Sequence, residues 1–137
     1  MATFNKFDAF VENLAEKVHN LGSDQLVIAL TNSAPIASNT VLANLTEISY
    51  TNLSSRNITT STSAQTSGTY KLVLTDLVLT ASGAVGPFRY VVLYNDTPTS
   101  PADPLIGWYD YGSSISLANT ETFNIDFDGS NGVLTLA

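Results

Sequence analysis

Phe88-Arg89-Tyr90-Val91-Val92-Leu93-Tyr94 is mostly aromatic or β-branched, and it runs directly into Asn95-Asp96-Thr97-Pro98, a cluster of turn-forming residues. Such side chains fill a pleated surface well, whereas Asn, Asp and Pro end extended runs, so these residues are read as the strongest strand of the chain. Working outward, Gly83-Ala84-Val85-Gly86-Pro87 is expected to be the turn before it. Residues 97–104 hold three prolines and are expected to loop over the surface. Leu105-Ile106-Gly107-Trp108-Tyr109-Asp110-Tyr111 then resumes the sheet, with Gly112-Ser113-Ser114 as another turn.

The same vocabulary extends in both directions. Gln25-Leu26-Val27-Ile28-Ala29-Leu30-Thr31 is a compact apolar run closed by Asn32-Ser33-Ala34-Pro35, a strand and its turn. Residues 37–67 are poor in charge and crowded with Ser, Thr and Asn; within them residues 58–63 read as an exposed strand. In residues 70–80, Tyr70, Leu72, Leu74 and then Leu77, Leu79 alternate with a slip near Asp76, which a bulge or a break into two strands would explain. Residues 121–127 and 133–136 flank Asp128-Gly129-Ser130-Asn131-Gly132, which reads as a hairpin connection. Short strands separated by turns, without an exact repeat, predict a mainly β chain: an antiparallel sandwich or jelly-roll-like domain over residues 23–137.

Residues 1–22 are set apart by a helical period. Phe4, Phe7, Val11, Leu14, Val18 and Leu21 recur at alternating spacings of 3 and 4, predicting one N-terminal amphipathic helix over residues 4–21. Phe10 widens the stripe, Thr3 is placed to cap its start and Gly22 to end it. Such a stripe packs across one end of the β domain or serves as an oligomer or docking interface. With fewer than the roughly three to four heptads of a self-sufficient coiled coil, association would need help from the β domain. A single helix supplies no βαβ crossovers for a doubly wound sheet.

The chain has 137 residues, length for one domain with a sizeable core. It has no cysteine, which excludes disulfides and thiolate metal sites. Twelve acidic residues against five basic ones give a formal charge of −7, which argues against binding nucleic acid or anionic membranes. Polarity comes instead from 32 Ser and Thr and 12 Asn residues, a surface suited to packing against neighbours. No secretion signal is expected from Met1-Ala2-Thr3-Phe4-Asn5-Lys6-Phe7-Asp8, and no run approaches a membrane helix. The four Asn-x-Ser/Thr sequons, at Asn44, Asn52, Asn57 and Asn95, follow from composition.

Catalytic patterns are not found. His19 is the only histidine and lies in the predicted helix without a neighbouring nucleophile, while elbow, phosphate-loop and zinc-helix motifs are missing. Asp96, Asp103 and Asp110 surround a Pro-rich loop beside Trp108, Tyr109 and Tyr111, a set that could bind or cleave sugar; turn-capping aspartates and strand-filling aromatics account for the same residues. Asp126-Phe127-Asp128-Gly129-Ser130-Asn131-Gly132 has clustered oxygens, but Asn131 misses the calcium-loop register and no Glu follows at its twelfth position, so a turn is expected. The expectation is a non-enzymatic protein with no cofactor and no metal site.

Four stretches also carry a resemblance: Ser63-Ala64-Gln65-Thr66-Ser67-Gly68-Thr69-Tyr70-Lys71-Leu72; Gly86-Pro87-Phe88-Arg89-Tyr90-Val91-Val92-Leu93-Tyr94-Asn95-Asp96; Leu105-Ile106-Gly107-Trp108-Tyr109-Asp110-Tyr111-Gly112; and Phe123-Asn124-Ile125-Asp126-Phe127 with Gly132-Val133-Leu134. Through them the C-terminal two-thirds is similar to a recurrent family of small virion structural proteins of tailed bacteriophages. The resemblance implies a protein made in the bacterial host cytoplasm and carried in the virion, on the head rather than the tail. It implies capsid decoration: a cement protein that binds and stabilises the head shell. The partners would be the major capsid protein or other virion proteins, and the chain a homo-oligomer, a trimer rather than a dimer. A tail or neck component is the alternative, and a carbohydrate- or receptor-binding module a third reading.

Overall fold

An antiparallel strand with one wet face alternates apolar and polar residues, yet residues 26–31 are apolar at five successive positions and buried at all six. Such a strand requires cover on both sides, and the architecture provides it. The computed structural model describes residues 2–137. In chain order the elements are β1 (Asn5–Lys6), α1 (Asp8–Ala15), β2 (Leu26–Thr31), a 3₁₀ turn (Leu42–Asn44), β3 (Asn57–Ile58), β4 (Thr60–Thr66), β5 (Thr69–Leu74), β6 (Leu77–Thr80), β7 (Val85–Asn95), β8 (Leu105–Leu117), β9 (Thr122–Ile125) and β10 (Leu134–Leu136). The fold is mainly β, with antiparallel sheets and one helix near the N-terminus, as the patterning predicted.

The five-stranded sheet has the order β1-β8-β7-β2-β3, with β7 and β2 paired from Tyr90–Thr31 to Asn95–Leu26. Side chains alternate between its two faces. Leu26, Ile28, Leu30, Val91, Leu93 and Ile106 enter the main core, where they meet Leu72 and Leu74 of β5, Leu79 of β6 and Ile125 of β9. The second layer is thus built from the sheets β10-β5-β4 and β6-β9, a sandwich-like arrangement. Val27, Ala29, Val92, Tyr94 and Leu105 point the other way into a second cluster with Phe7. Its lid is the low-charge segment after β2, through Leu42 and Leu45, together with Trp108. The lid is anchored by backbone bonds from Leu42 N–H to Asp103 O and from Leu105 N–H to Thr40 O, both 3.0 Å.

Several boundaries differ from the sequence reading. Residues 83–87 are not simply a turn: β7 already starts at Val85, and Gly86 and Pro87 lie where its register with β8 shifts, between Val85 and Phe88. A bulge tolerates a residue without an N–H. Likewise β8 continues through the expected turn at residues 112–114, with Gly112 at φ 100° supplying the bend. The slip at Asp76 is a true break, since β5 and β6 join different sheets. The expected strand at residues 58–63 is divided between β3 and β4.

The expected terminal hairpin does not form. β9 pairs with β6, and β10 pairs with β5, so residues 128–132 cross between sheets. Asp76 Oδ1 accepts from Phe127 N–H at 2.9 Å, and Leu72 O accepts from Val133 N–H at 2.8 Å, steering the two ends apart. Gly132 is required in between: its φ is 82°, and a Cβ there would lie 2.7 Å from Leu72 O.

The helix is also shorter than its stripe. Asn5 and Lys6 pair with Trp108 and Gly107 of β8, which keeps the chain extended until Phe7. Phe7, not Thr3, is the N-cap residue, and no side chain caps the helix start. At the other end Val18 N–H bonds to Asn13 O and Lys17 N–H to Leu14 O, a Schellman ending whose left-handed residue is Lys17 at φ 68°, five positions before Gly22. Within the helix Phe10 is buried and Leu14 packs against the main core, four residues apart on one face. Phe10 and Leu21 belong to the same core as the strands, so the N-terminal segment is integral to the β domain.

The outer edge of β2 is closed by side chains where β3 ends. Arg56 O accepts from Ile28 N–H, and Arg56 Nη1 donates to Ile28 O at 2.7 Å. Next, Tyr50 Oη accepts from Leu30 N–H at 2.9 Å and donates to Glu47 Oε1 at 2.7 Å, while the Arg56 guanidinium stacks 3.7 Å from the Tyr50 ring centroid. Burial raises the Tyr50 phenol above its ordinary pKa, keeping the proton that this bond needs. Tyr50→Phe leaves Leu30 N–H unsatisfied and is expected to lower stability by about 1–3 kcal/mol in denaturant titrations. Lys17→Gly relieves a left-handed side chain and is expected to raise it by about 1 kcal/mol in the same assay.

Candidate functional site

The six residues of the heptad stripe do not share one face. Phe4 lies on the extended lead-in, its ring 5.3 Å from Tyr109 and directly over Gly107, where no Cβ would fit. Phe7 is fully buried in the second cluster, 4.6 Å from the Trp108 ring. Leu14 and Leu21 turn to the main core, on the opposite side of the sheet. Val11 is 54% exposed, and Val18 lies past the helix end, lining a recess. Pairing of β1 with β8 explains the separation: extended backbone rotates successive side chains by about 180°, not the roughly 100° that a helical stripe assumes.

The recess, about 530 Å³, is lined by the end of the helical segment (Leu14, Lys17, Val18, His19), by Tyr70 and by Pro98. His19 is 95% buried beside it, its ring 5.1 Å from Phe10. Asn95 fixes its state. The Asn95 amide oxygen accepts from Thr97 N–H at 3.1 Å, so both amide hydrogens are donated, to Asp24 Oδ2 at 2.7 Å and to His19 Nδ1 at 3.0 Å. Nδ1 is therefore an acceptor, and the neutral ring carries its proton on Nε2, which is buried with no partner among the described residues. Burial pushes His19 down to about 4, against a smaller opposing pull from Asp24. Asp24 Oδ2 also accepts from Asn20 N–H at 2.8 Å, so the group pins the chain reversal before β2 to the end of β7. The sequence marked Asn95 as a turn residue; its contact with His19, 76 positions away, left no local signal.

The carboxylates and aromatics around the Pro-rich loop are distributed rather than convergent. Asp110 accepts both bonds of a fork from Arg89, at 2.8 and 3.0 Å, and one from Gly112 N–H, which hold it below the usual carboxylate range. Asp103 lies beside Asp96; partial burial first, then the Asp96 charge, raises its pKa. Trp108 packs toward Phe7, whereas Tyr109 and Tyr111 face the other side, near Phe127 and Phe123 at 6.4 and 5.5 Å. A second recess, about 460 Å³, opens there between Tyr109, Tyr111, Phe123 and Asp126. In the Asp128 turn the carboxylate accepts from Ser130 N–H, Asn131 N–H and the Asn131 side chain, which occupies its oxygens internally. Among the described residues no group of three or more His, Cys, Asp or Glu side chains could hold a metal ion.

His19 generates a pH dependence. The unfolded chain takes up a proton as pH falls through 6.5, the folded chain only near 4, so stability falls between these values and levels off below. The full loss is expected to be about 3 kcal/mol, with about 2 kcal/mol of it between pH 7 and pH 5. In urea titrations at pH 7, 6 and 5, His19→Gln should flatten this slope, in a range above ordinary carboxylate titration.

Comparison of the chain with protein-family models, with curated proteins and with solved structures found no match in any of the three.

Proposed function

We propose that this chain is a non-enzymatic structural protein of a tailed-phage particle, and that it decorates the head shell by binding the major capsid protein. The observation that carries the reading is where its family-like stretches fall. Residues 86–96 lie in and just past β7, residues 105–112 form the first part of β8, residues 63–72 make most of the β4–β5 hairpin, and residues 123–127 and 132–134 hold most of β9 and the start of β10, flanking the crossing between sheets. These stretches are framework, and their polar side chains serve the fold: Arg89 with Asp110, and Asn95 with His19. A framework held this way, with a mostly uncharged polar surface, suits a domain that must persist outside a cell while packed against a repeating shell.

Purified chain mixed with tail-less expanded heads is expected to co-sediment with them and to saturate at a fixed number of copies per shell subunit. Co-sedimentation with tails and not with heads would overturn the head assignment in favour of a tail or neck component.

A further inference from the structure

The edges of the sheets are treated unequally. In the five-stranded sheet the outer strands β1 and β3 span two residues each, and the edge beyond β3 is closed by Arg56 and Tyr50. β4 is different. It ends the order β10-β5-β4, runs for seven residues, Thr60-Ser61-Thr62-Ser63-Ala64-Gln65-Thr66, and contains neither a charge nor a proline. Charges and prolines are the usual protection of an exposed edge. Among the described residues no backbone bond joins residues 61–66 to any segment other than β5.

The register shows which backbone groups are free. Ser67 and Gly68, at φ 51° and 84°, make the two-residue turn of the β4–β5 hairpin, so Thr66 and Thr69 form a hydrogen-bonded pair. Alternation then turns the backbone groups of Thr66, Ala64 and Thr62 toward β5, opposite Thr69, Lys71 and Val73. The N–H and C=O of Ser63 and Gln65 face outward. Beyond them the bulge at Ser61 ends the regular edge.

We propose that this edge pairs with the same edge of a second copy, antiparallel about a two-fold axis at Ala64. In that register Ser63 of each copy meets Gln65 of the other, and each such pair exchanges both N–H···O bonds. All the outward groups on the regular part of the edge are then used. Ala64 meets its own counterpart at the narrow, non-bonded spacing, where a small side chain fits, and Thr62 faces Thr66 across the junction. No charge enters the contact, so the −7 on each copy is kept off the seam. The three-stranded sheets of two copies become one continuous sheet through a self-complementary, isologous contact. This contact stands whether or not the chain coats a phage head.

Sedimentation equilibrium on the full chain is expected to show a concentration-dependent dimer. Ala64 is exposed, so Ala64→Lys and Ala64→Asp should each lose the dimer without lowering the thermal midpoint of the monomer. Mixing the two variants should restore a mixed dimer, because Lys then faces Asp. Ala64→Cys, in a chain without other cysteines, should oxidise to a disulfide-linked dimer, while Ala118→Cys on another exposed surface should not. A chain that stays monomeric with no cross-link at position 64, or a dimer indifferent to both charged variants, would overturn the proposal.

Discussion

Burial of β2 on both faces is the constraint around which the rest is arranged. Each fully buried aliphatic side chain contributes roughly 1.5–3 kcal/mol, and Leu26, Ile28 and Leu30 on one face oppose Val27 and Ala29 on the other. A single layer of cover would waste one set. The inner set requires the second layer of sheets, and the outer set requires the lid through Leu42 and Leu45. The lid explains why a long stretch with little regular secondary structure lies close against the molecule: Leu42 and Leu45 are spent on the sheet, and most of its Ser and Thr residues face solvent.

Burial creates a second demand, because every buried backbone group needs a partner. The centre of the sheet meets it by strand pairing. At the edge of β2 the demand is met by the backbone of Arg56 and Ile48 together with the side chains of Arg56 and Tyr50, which reach in where no further strand is available. The same logic appears at Asp76, which holds Phe127 N–H, and at Asn95, which ties the segment before β2 to the end of β7. Polar side chains in this protein act as joints between elements far apart in sequence. Against that background the seven-residue edge of β4 carries no such device among the described residues.

The sequence by itself determined the β-rich class, the strand at Phe88–Tyr94 and the slip in alternation near Asp76, because β-propensity and two-residue alternation are local properties; that the slip is a break and not a bulge came from the sheets its two halves join. It also carried the helix, through Phe10 and Leu14, though only the middle of the expected span is helical. The a/d stripe was misleading because the same residues can alternate across strand and helix; pairing of Asn5 and Lys6 with β8 decided which. Turn signals at Gly86-Pro87 and Gly112 were equally ambiguous, since glycine and proline mark bulges as well as ends. What tertiary structure alone decided is partner choice. β9 and β10 are joined by a hairpin-like connection yet pair with β6 and β5, and His19 is fixed by an asparagine from the far end of another strand. Propensity assigns a residue its local conformation, but which strand lies alongside depends on how both faces of β2 are covered at once, and that is a property of the whole packed chain.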